Sequence, residues 1–458
     1  NQWRKAHLDS TTPFQRMRYG VNNASTAEMQ VTSGHGSVTS TGVLAVTGSE
    51  VGMMAYDPDS GKFWVGQDGT WFNSGDPTDG SNPQGEFTCT DPIFVNLSDY
   101  SSAEDGDVTL NFGQTGFAHT PPTGYKALNS SNIPNPTTAD PSAYFQTTLY
   151  TGNGSTQSID QGENKSFEPD LVWIKNRDAA DSHILTDAVR GATKVINSDA
   201  TAAEVTDADT LTAFESNGFA LGDDDKVNTN TEKYVAWQWL ESSTPGFDIV
   251  SFTGNATART ISHSLGVAPE MIFVKNLADT DNWAVYHASN TSAPATDYLI
   301  LNTTAATADD ATVWNDTAST SSVFSVGTSS LTNGNTEAMI AYLWASVTGF
   351  SKIGKYEGTG TITNQAGAYI YTGFRPSLII CKSIDSTSDW FMFDDQRLGY
   401  NVDNNSIFAD TSAAELTADN VDLVSNGFKL RIATDPNVAE TYVYAAFAHS
   451  PFKTANAR

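Results

Sequence analysis

Three stretches of this chain are copies of one another, and that repetition constrains the fold more than any other feature. FEPDLVWIKNRDAADSH (167–183), VAPEMIFVKNLADTDNW (267–283) and FRPSLIICKSIDSTSDW (374–390) align without a gap, at offsets of 100 and 107 residues. Each places a Pro six residues before a Lys (Pro169/Lys175, Pro269/Lys275, Pro376/Lys382) and a ring eight residues after that Lys: His183, Trp283 and Trp390. SNGF recurs at 216–219 and 425–428, with FSVG at 324–327 between them, and each copy closes on an aromatic-rich run: YVAWQWL (234–240), MIAYLWA (339–345) and YVYAAFA (442–448). Self-similarity of this kind marks three tandem copies of one structural plan.

The shared block reads as a strand. Pro cannot donate to a ladder and suits the first position of one. Four consecutive apolar residues follow (Leu171–Ile174, Met271–Val274, Leu378–Cys381), the pattern of a strand covered on both faces. The Lys is expected to end the strand where it reaches solvent. Cys381 fills the slot of Ile174 and Val274 and reads as a small buried hydrophobe. The ring position opens an alternating strand, and Asn-Gly in SNGF suits a turn with left-handed φ. TAAEVTDADTLTAF (201–214) predicts one short helix. The fold class is therefore all-β: multi-domain β-sandwiches, with modules at 145–240, 246–345 and 350–452. A module of about 100 residues is long enough to enclose its own core, so the expectation is a row of separate beads.

Ahead of the repeats, GKFWVGQDGTWF (61–72) places aromatics on two runs split by Gln67-Asp68-Gly69-Thr70, a hairpin signal. With the turn at 57–61 it predicts strands at 51–56, 62–66 and 70–73. A domain over 23–129 follows from it, preceded by a basic arm (1–22, with Arg4, Lys5, Arg16 and Arg18) and followed by a Pro/Asn/Ser-rich linker over 130–144. Residues 1–40 give no readable strand pattern. The chain opens on Asn1 with no signal-like apolar stretch, and is read as processed or as internal to a longer product.

Composition narrows the partners. The 458 residues carry 53 acids against 24 Lys and Arg, a formal charge of −29, which repels a phosphate backbone and argues against nucleic-acid binding. Such acidity suits a saline setting, where repulsion is screened. No apolar run reaches the ~18 residues of a membrane span. The two cysteines, Cys89 and Cys381, build neither a disulfide framework nor a metal site.

The region around Tyr56-Asp57-Pro58-Asp59-Ser60-Gly61-Lys62-Phe63-Trp64, Gly69-Thr70-Trp71 and GDVTLNFGQTGFAHTPPTGYKALN (106–129) resembles a SPRY domain, a concanavalin-like β-sandwich. ISHSLGVAPEMIFVKNLADTDNWAVYH (261–287) and YVYAAFAHSPF (442–452) resemble tandem modules of tailed-bacteriophage appendage proteins, of the marine phage type. The resemblance implies a virion structural protein: a tail fibre or appendage component that attaches to the host surface through several non-covalent contacts, works on an extracellular particle and forms a homo-oligomer, with a trimer favoured. Its partners would be other virion proteins and a host cell-surface glycan or protein. An appendage polysaccharide depolymerase using paired carboxylates and a bacterial extracellular adhesin stand as alternatives.

Signatures of chemistry are sparse. GFSKIGKY (349–356) has the spacing of a phosphate loop but Tyr356 where Ser or Thr binds Mg²⁺, and no helix pattern after it. No catalytic residue and no cofactor is assigned, and the chain is read as a non-enzyme. Asp223, Asp224 and Asp225 are weak calcium candidates, since hard oxygen ligands on a loop suit that ion, although the spacing is not that of a calcium loop. Trp64, Trp71, Trp283 and Trp390 are weak glycan-stacking candidates, weighed against a core role; His183 and His287 read as packing residues.

Overall fold

A computed structural model of the chain describes residues 15–22, 26–33, 37–45, 51–57, 60–86, 111–113, 115–127, 138–362, 367–397, 401, 405–417 and 421–450. The regular secondary structure of its described residues is almost entirely antiparallel sheet, with α-helical turns only at Asp225–Asn228, Ala311–Trp314 and Ser330–Asn333. The expected helix over 201–214 is absent: Val205–Thr206 and Leu211–Glu215 are strands. The chain divides into two compact units, Asn1–Pro134 and Asn135–Arg458.

The first unit contains the predicted hairpin. Strands Gly52–Asp57, Lys62–Gln67 and Thr70–Trp71 pair in sequence, and Phe72–Ser74 then turns into a short 3₁₀ segment. Asp68 (φ 49°) and Gly69 (φ 83°) both take positive φ, which is what a tight two-residue turn between right-twisted strands requires. Where no strand pattern was legible, Gln15–Asn22, Thr26–Ser33 and Ser37–Ala45 form an antiparallel meander, so the second half of the basic arm is paired in a sheet. Cys89 and most of the linker lie outside the described residues.

In the second unit each repeat builds a large and a small sheet in the same order, and the first repeat adds a two-stranded ladder of Lys194–Val195 with Val205–Thr206. The large sheet of the first repeat runs Phe145–Thr151, Lys233–Trp239, Leu171–Asn176, Ile184–Asp187. The second repeat runs Phe247–Thr253, Ala338–Trp344, Met271–Asn276, Ala284–His287, and the third Ser351–Glu357, Thr441–Phe447, Leu378–Ser383, Phe391–Asp394. The last two sheets are extended by further short strands. A smaller sheet faces each: Gln157–Asp160, Gly218–Leu221 and Leu211–Glu215; then Arg259–Ser262 and Val323–Val326; then Tyr369–Tyr371, Gly427–Leu430 and Val421–Val424. In both SNGF copies the turn falls on Ser-Asn, and the glycine serves close approach: a Cβ on Gly218 or Gly427 would stand 2.0 Å from the carbonyl of Ile159 or Ile370 on the neighbouring strand.

Strand parity decides how the repeats assemble. Val172 and Ile174 enter a core private to the first repeat, as do Ile272 and Val274 in the second and Ile379 and Cys381 in the third. The alternate residues, Leu171 and Trp173, Met271 and Phe273, Leu378 and Ile380, belong to one core shared by all three repeats. The closing strands divide likewise, sending Trp237 and Trp239, Tyr342 and Trp344, and Val443 and Phe447 to the shared core. The ring of Trp239 sits 6.3 Å from that of Trp344 and 5.7 Å from that of Phe447, so one equivalent side chain from each repeat meets at the centre. The unbroken apolar run does mark burial on both faces, but the second cover comes from the neighbouring repeats. Separate beads are therefore replaced by a closed three-membered ring.

Backbone pairing closes the ring with one equivalent bond at each seam, and the seam between second and third repeats adds Ser388 N–H to Thr304 O at 3.0 Å. Glu204 N–H donates to Leu277 O, Thr307 N–H to Ile384 O and Glu415 N–H to Arg177 O, each at 3.0 Å. The acceptors occupy one repeat position, two residues after the Lys. One consequence is measurable by native-state hydrogen exchange: the amides of Leu171–Asn176, Met271–Asn276 and Leu378–Ser383 should open together, and Trp239→Ala should lower protection in all three strands by about 3–5 kcal/mol. Protection lost in the first repeat alone would contradict a shared core.

Candidate functional site

The Trp candidates are mostly core. Trp64 is fully buried and its Nε1–H donates to Ser81 O at 2.8 Å. Trp283 and Trp390 are 0% and 2% exposed, so neither offers a ring face to a sugar. Their indoles instead lock the seams: Trp283 Nε1–H donates to Asn197 O and Trp390 Nε1–H to Ile300 O, both at 2.8 Å. His183 completes the cycle at 2.9 Å from Phe408 O. Trp173 Nε1–H donates to His183 Nδ1 (2.8 Å), so Nε2 carries the proton toward Phe408, and burial holds the imidazole neutral with its pKa lowered to about 3. Trp71 alone of the four is half-buried.

The calcium candidates do not converge. Asp224 caps the helical turn that follows it, accepting from Lys226 N–H at 2.8 Å, while Asp223 and Asp225 are exposed. Among the described residues no three His, Cys, Asp or Glu side chains form a metal-holding group. Residues 351–357 of the near-miss phosphate loop form a strand. No helix of the described residues is long and apolar enough to cross a membrane.

The repeat lysines overturn the expectation of solvent exposure. Lys175, Lys275 and Lys382 are all 0% exposed, because they share parity with the residues of the common core. Each ammonium is held by backbone carbonyls: Lys175 by Asn176 O and Ala179 O (2.7 and 3.3 Å), Lys275 by Thr201 O and Asp281 O (2.9 and 2.8 Å), Lys382 by Ser383 O and Ser386 O (2.7 and 3.4 Å). Burial lowers all three pKa values from 10.5 to about 8. Asn228, Asn333 and Asn437, which sequence reading passed over, are also fully buried and hold the turns before the closing strands, donating to Gly222 O, Gly327 O and Ile432 O at 2.6–2.7 Å. Their spacing from the closing strand differs by one residue in the third repeat, which hides the pattern.

Titratable side chains gather at one repeated place, around the second residue after each closing strand. There Glu241 N–H donates to Asp170 Oδ2 (2.6 Å), Ser346 N–H to Glu270 Oε2 (3.3 Å) and His449 N–H to Ser377 Oγ (3.1 Å). At the first junction Glu241 and the buried Asp248 line a shallow groove of about 400 Å³ with Ser262, His263 and Ser264. Burial, then the hydrogen bond and charge of Asp248, raise the Glu241 pKa to about 7. At the third junction Asp395 Oδ2 lies 2.8 Å from Arg375 Nη1 and 3.6 Å from His449 Nε2, which is 3.8 Å from Glu163 Oε1. Asp395 Oδ1 and His449 Nδ1 are buried without a hydrogen-bond partner among the described residues. Burial raises Asp395 to about 7 and lowers His449.

The buried lysines carry a pH signature. Between pH 8 and 10.5 the unfolded chain binds more protons than the folded one at each Lys, so their contribution to stability grows as pH rises through that window. Chemical denaturation of the full chain should show a positive slope from pH 8 to 10, and Lys175→Met should remove about one third of it, since three similar groups share the effect. A slope unchanged by any one of the three Lys→Met substitutions would refute this assignment.

No curated protein and no solved structure matches the chain. A family model described as a domain of unknown function (DUF7483) matches residues 140–451, from just before the first repeat to beyond the closing strand of the third. That span is more than half of the chain and takes in the ring of three repeats, and the chain belongs to the DUF7483 family.

Proposed function

We propose that this chain is a structural and adhesive component of a bacteriophage particle, a tail fibre or appendage protein that attaches to the host surface by several weak contacts at once. The observation that carries the reading is the closed ring. Three copies of one sandwich, locked by cyclic hydrogen bonds and a common core, form a rigid body that displays three equivalent sets of loops. Rigid repetition raises avidity by ~10²–10⁴ over a single weak contact, without a tight pocket. The SPRY-like character of the first unit and assembly into a homotrimer belong to the same proposal. The ring also supplies a threefold arrangement within one chain, so multivalency does not depend on the trimer.

The depolymerase alternative has one observation in its favour, the Glu241–Asp248 pair in its groove. One experiment separates the two. Purified full-length chain incubated with intact host cells should sediment with them and slow particle adsorption, releasing no reducing ends from envelope glycans. Release of reducing ends that is abolished by Glu241→Gln would replace this reading with the enzymatic one, and absence of cell binding would remove it. Light scattering checks the trimer, which should give about three times the chain mass of 49.0 kDa.

A further inference from the structure

The three repeats serve as controls for one another, because the fold demands the same side chains at the same positions. On the first strand of the small sheet it demands one buried residue: Ile159, Ile261 and Ile370 are 6%, 7% and 5% exposed and pair with Phe219, Phe324 and Phe428. The residues on either side of that Ile point outward. They are Ser158 and Asp160 in the first repeat, Thr260 and Ser262 in the second, all exposed. In the third they are Tyr369 and Tyr371, 40% and 43% exposed. Two repeats fold with small polar residues here, so the tyrosines are not required by the fold.

Their surroundings favour a ligand with both apolar and anionic character. Alternate residues of a strand stand about 6.7 Å apart on one face, so the two rings make an aromatic strip. Tyr369 Oη–H donates to Asn426 Oδ1 at 2.8 Å, which fixes that ring before any partner arrives. Lys429 lies directly opposite Tyr369 in register on the neighbouring strand. It makes no ion pair among the described residues, because the carboxylate opposite it on the next strand, Asp422, is taken by Arg431 at 2.6 Å. A free ammonium beside two rings, one of them fixed, complements a sugar that carries a carboxylate: the rings stack on its C–H faces and the Lys meets its charge. The acidic body of the protein does not cancel this, since charges beyond about 8 Å are screened at physiological salt.

We propose that Tyr369, Tyr371 and Lys429 form a binding surface for an acidic polysaccharide. The proposal rests on the attachment reading and names the surface and ligand class through which it works. The test is affinity electrophoresis of the full chain in native gels containing polygalacturonate or, as neutral control, dextran. Wild-type chain should be retarded by polygalacturonate and not by dextran. Replacing Tyr369→Thr together with Tyr371→Ser, the residues the second repeat carries, should weaken retardation roughly tenfold or more while leaving the unfolding midpoint unchanged. Lys429→Gln should abolish the preference over dextran. The proposal is overturned if wild-type chain is not retarded by polygalacturonate, or if the double variant is retarded as strongly as wild type. Cell sedimentation separates the two ideas: a double variant that still binds host cells fully rejects this surface and leaves attachment standing, whereas wild-type chain that binds no cells rejects attachment while the gels still decide the surface.

Discussion

The structure of the repeat unit depends on one constraint: the central strands of each repeat must bury both faces. One face is satisfied inside the repeat, by the small sheet. The other presents Leu171 and Trp173, Met271 and Phe273, or Leu378 and Ile380, and it enters the core that all three repeats share. An exposed strip of that size costs roughly 25 cal/mol for each Å² left in water. Three identical strips turned toward one another remove the cost together, and Trp239, Trp344 and Phe447 fill the centre where the strips converge. Cyclic closure follows from that packing, because three equivalent faces leave no end uncovered.

Once the faces are dry, the polar groups along the seams must find partners within the ring. The same position is solved three ways. Asp187 accepts from Tyr342 Oη–H (2.6 Å) and pairs with Arg190; Asp394 accepts from Trp237 Nε1–H (3.2 Å) and pairs with Arg397 at 2.7 Å. The second repeat places His287 there, and its neighbour in the third repeat has Ala445 where the others have Trp237 and Tyr342. His287 therefore reaches past the missing side chain to Tyr444 O, at 3.2 Å. Two seams hold buried ions and one holds neutral groups, with the charge of Glu415 shared between Arg177 and Arg397 across the seam that joins third repeat to first. Such pairs contribute little net stability, but removal of one partner strands the other at a cost of about 3–5 kcal/mol.

Two further repeated places carry different side chains in each copy: the second residue after each closing strand, and the outer face of each small sheet. At both, the repeats diverge in chemistry while agreeing in backbone. Glu241, Ser346 and His449 share one backbone contact and differ in charge, and the tyrosines of the third repeat stand where the others carry Ser, Thr or Asp. On the exposed sheet face, unlike in the buried seams, that divergence separates what the chain needs to fold from what it offers to the outside.

Much of the fold was legible in the sequence. The 17-residue copies located the central strands, the Asp68-Gly69 turn located the first hairpin, and the aromatic-rich runs located the closing strands. These are local signals, carried by period and by turn chemistry. What tertiary structure decided was the identity of each cover. Period two says that Trp173 and Lys175 share a face, but not that this face meets two other repeats, so a lysine expected in water lies buried under carbonyls. The bonds that settle the matter join His183 to Phe408 and Arg177 to Glu415, more than two hundred residues apart, where no local pattern reaches. Burial likewise could not be read from residue type: Trp283 and Trp390 became seam locks and Tyr369 and Tyr371 became surface, because ring closure determines which aromatic faces water.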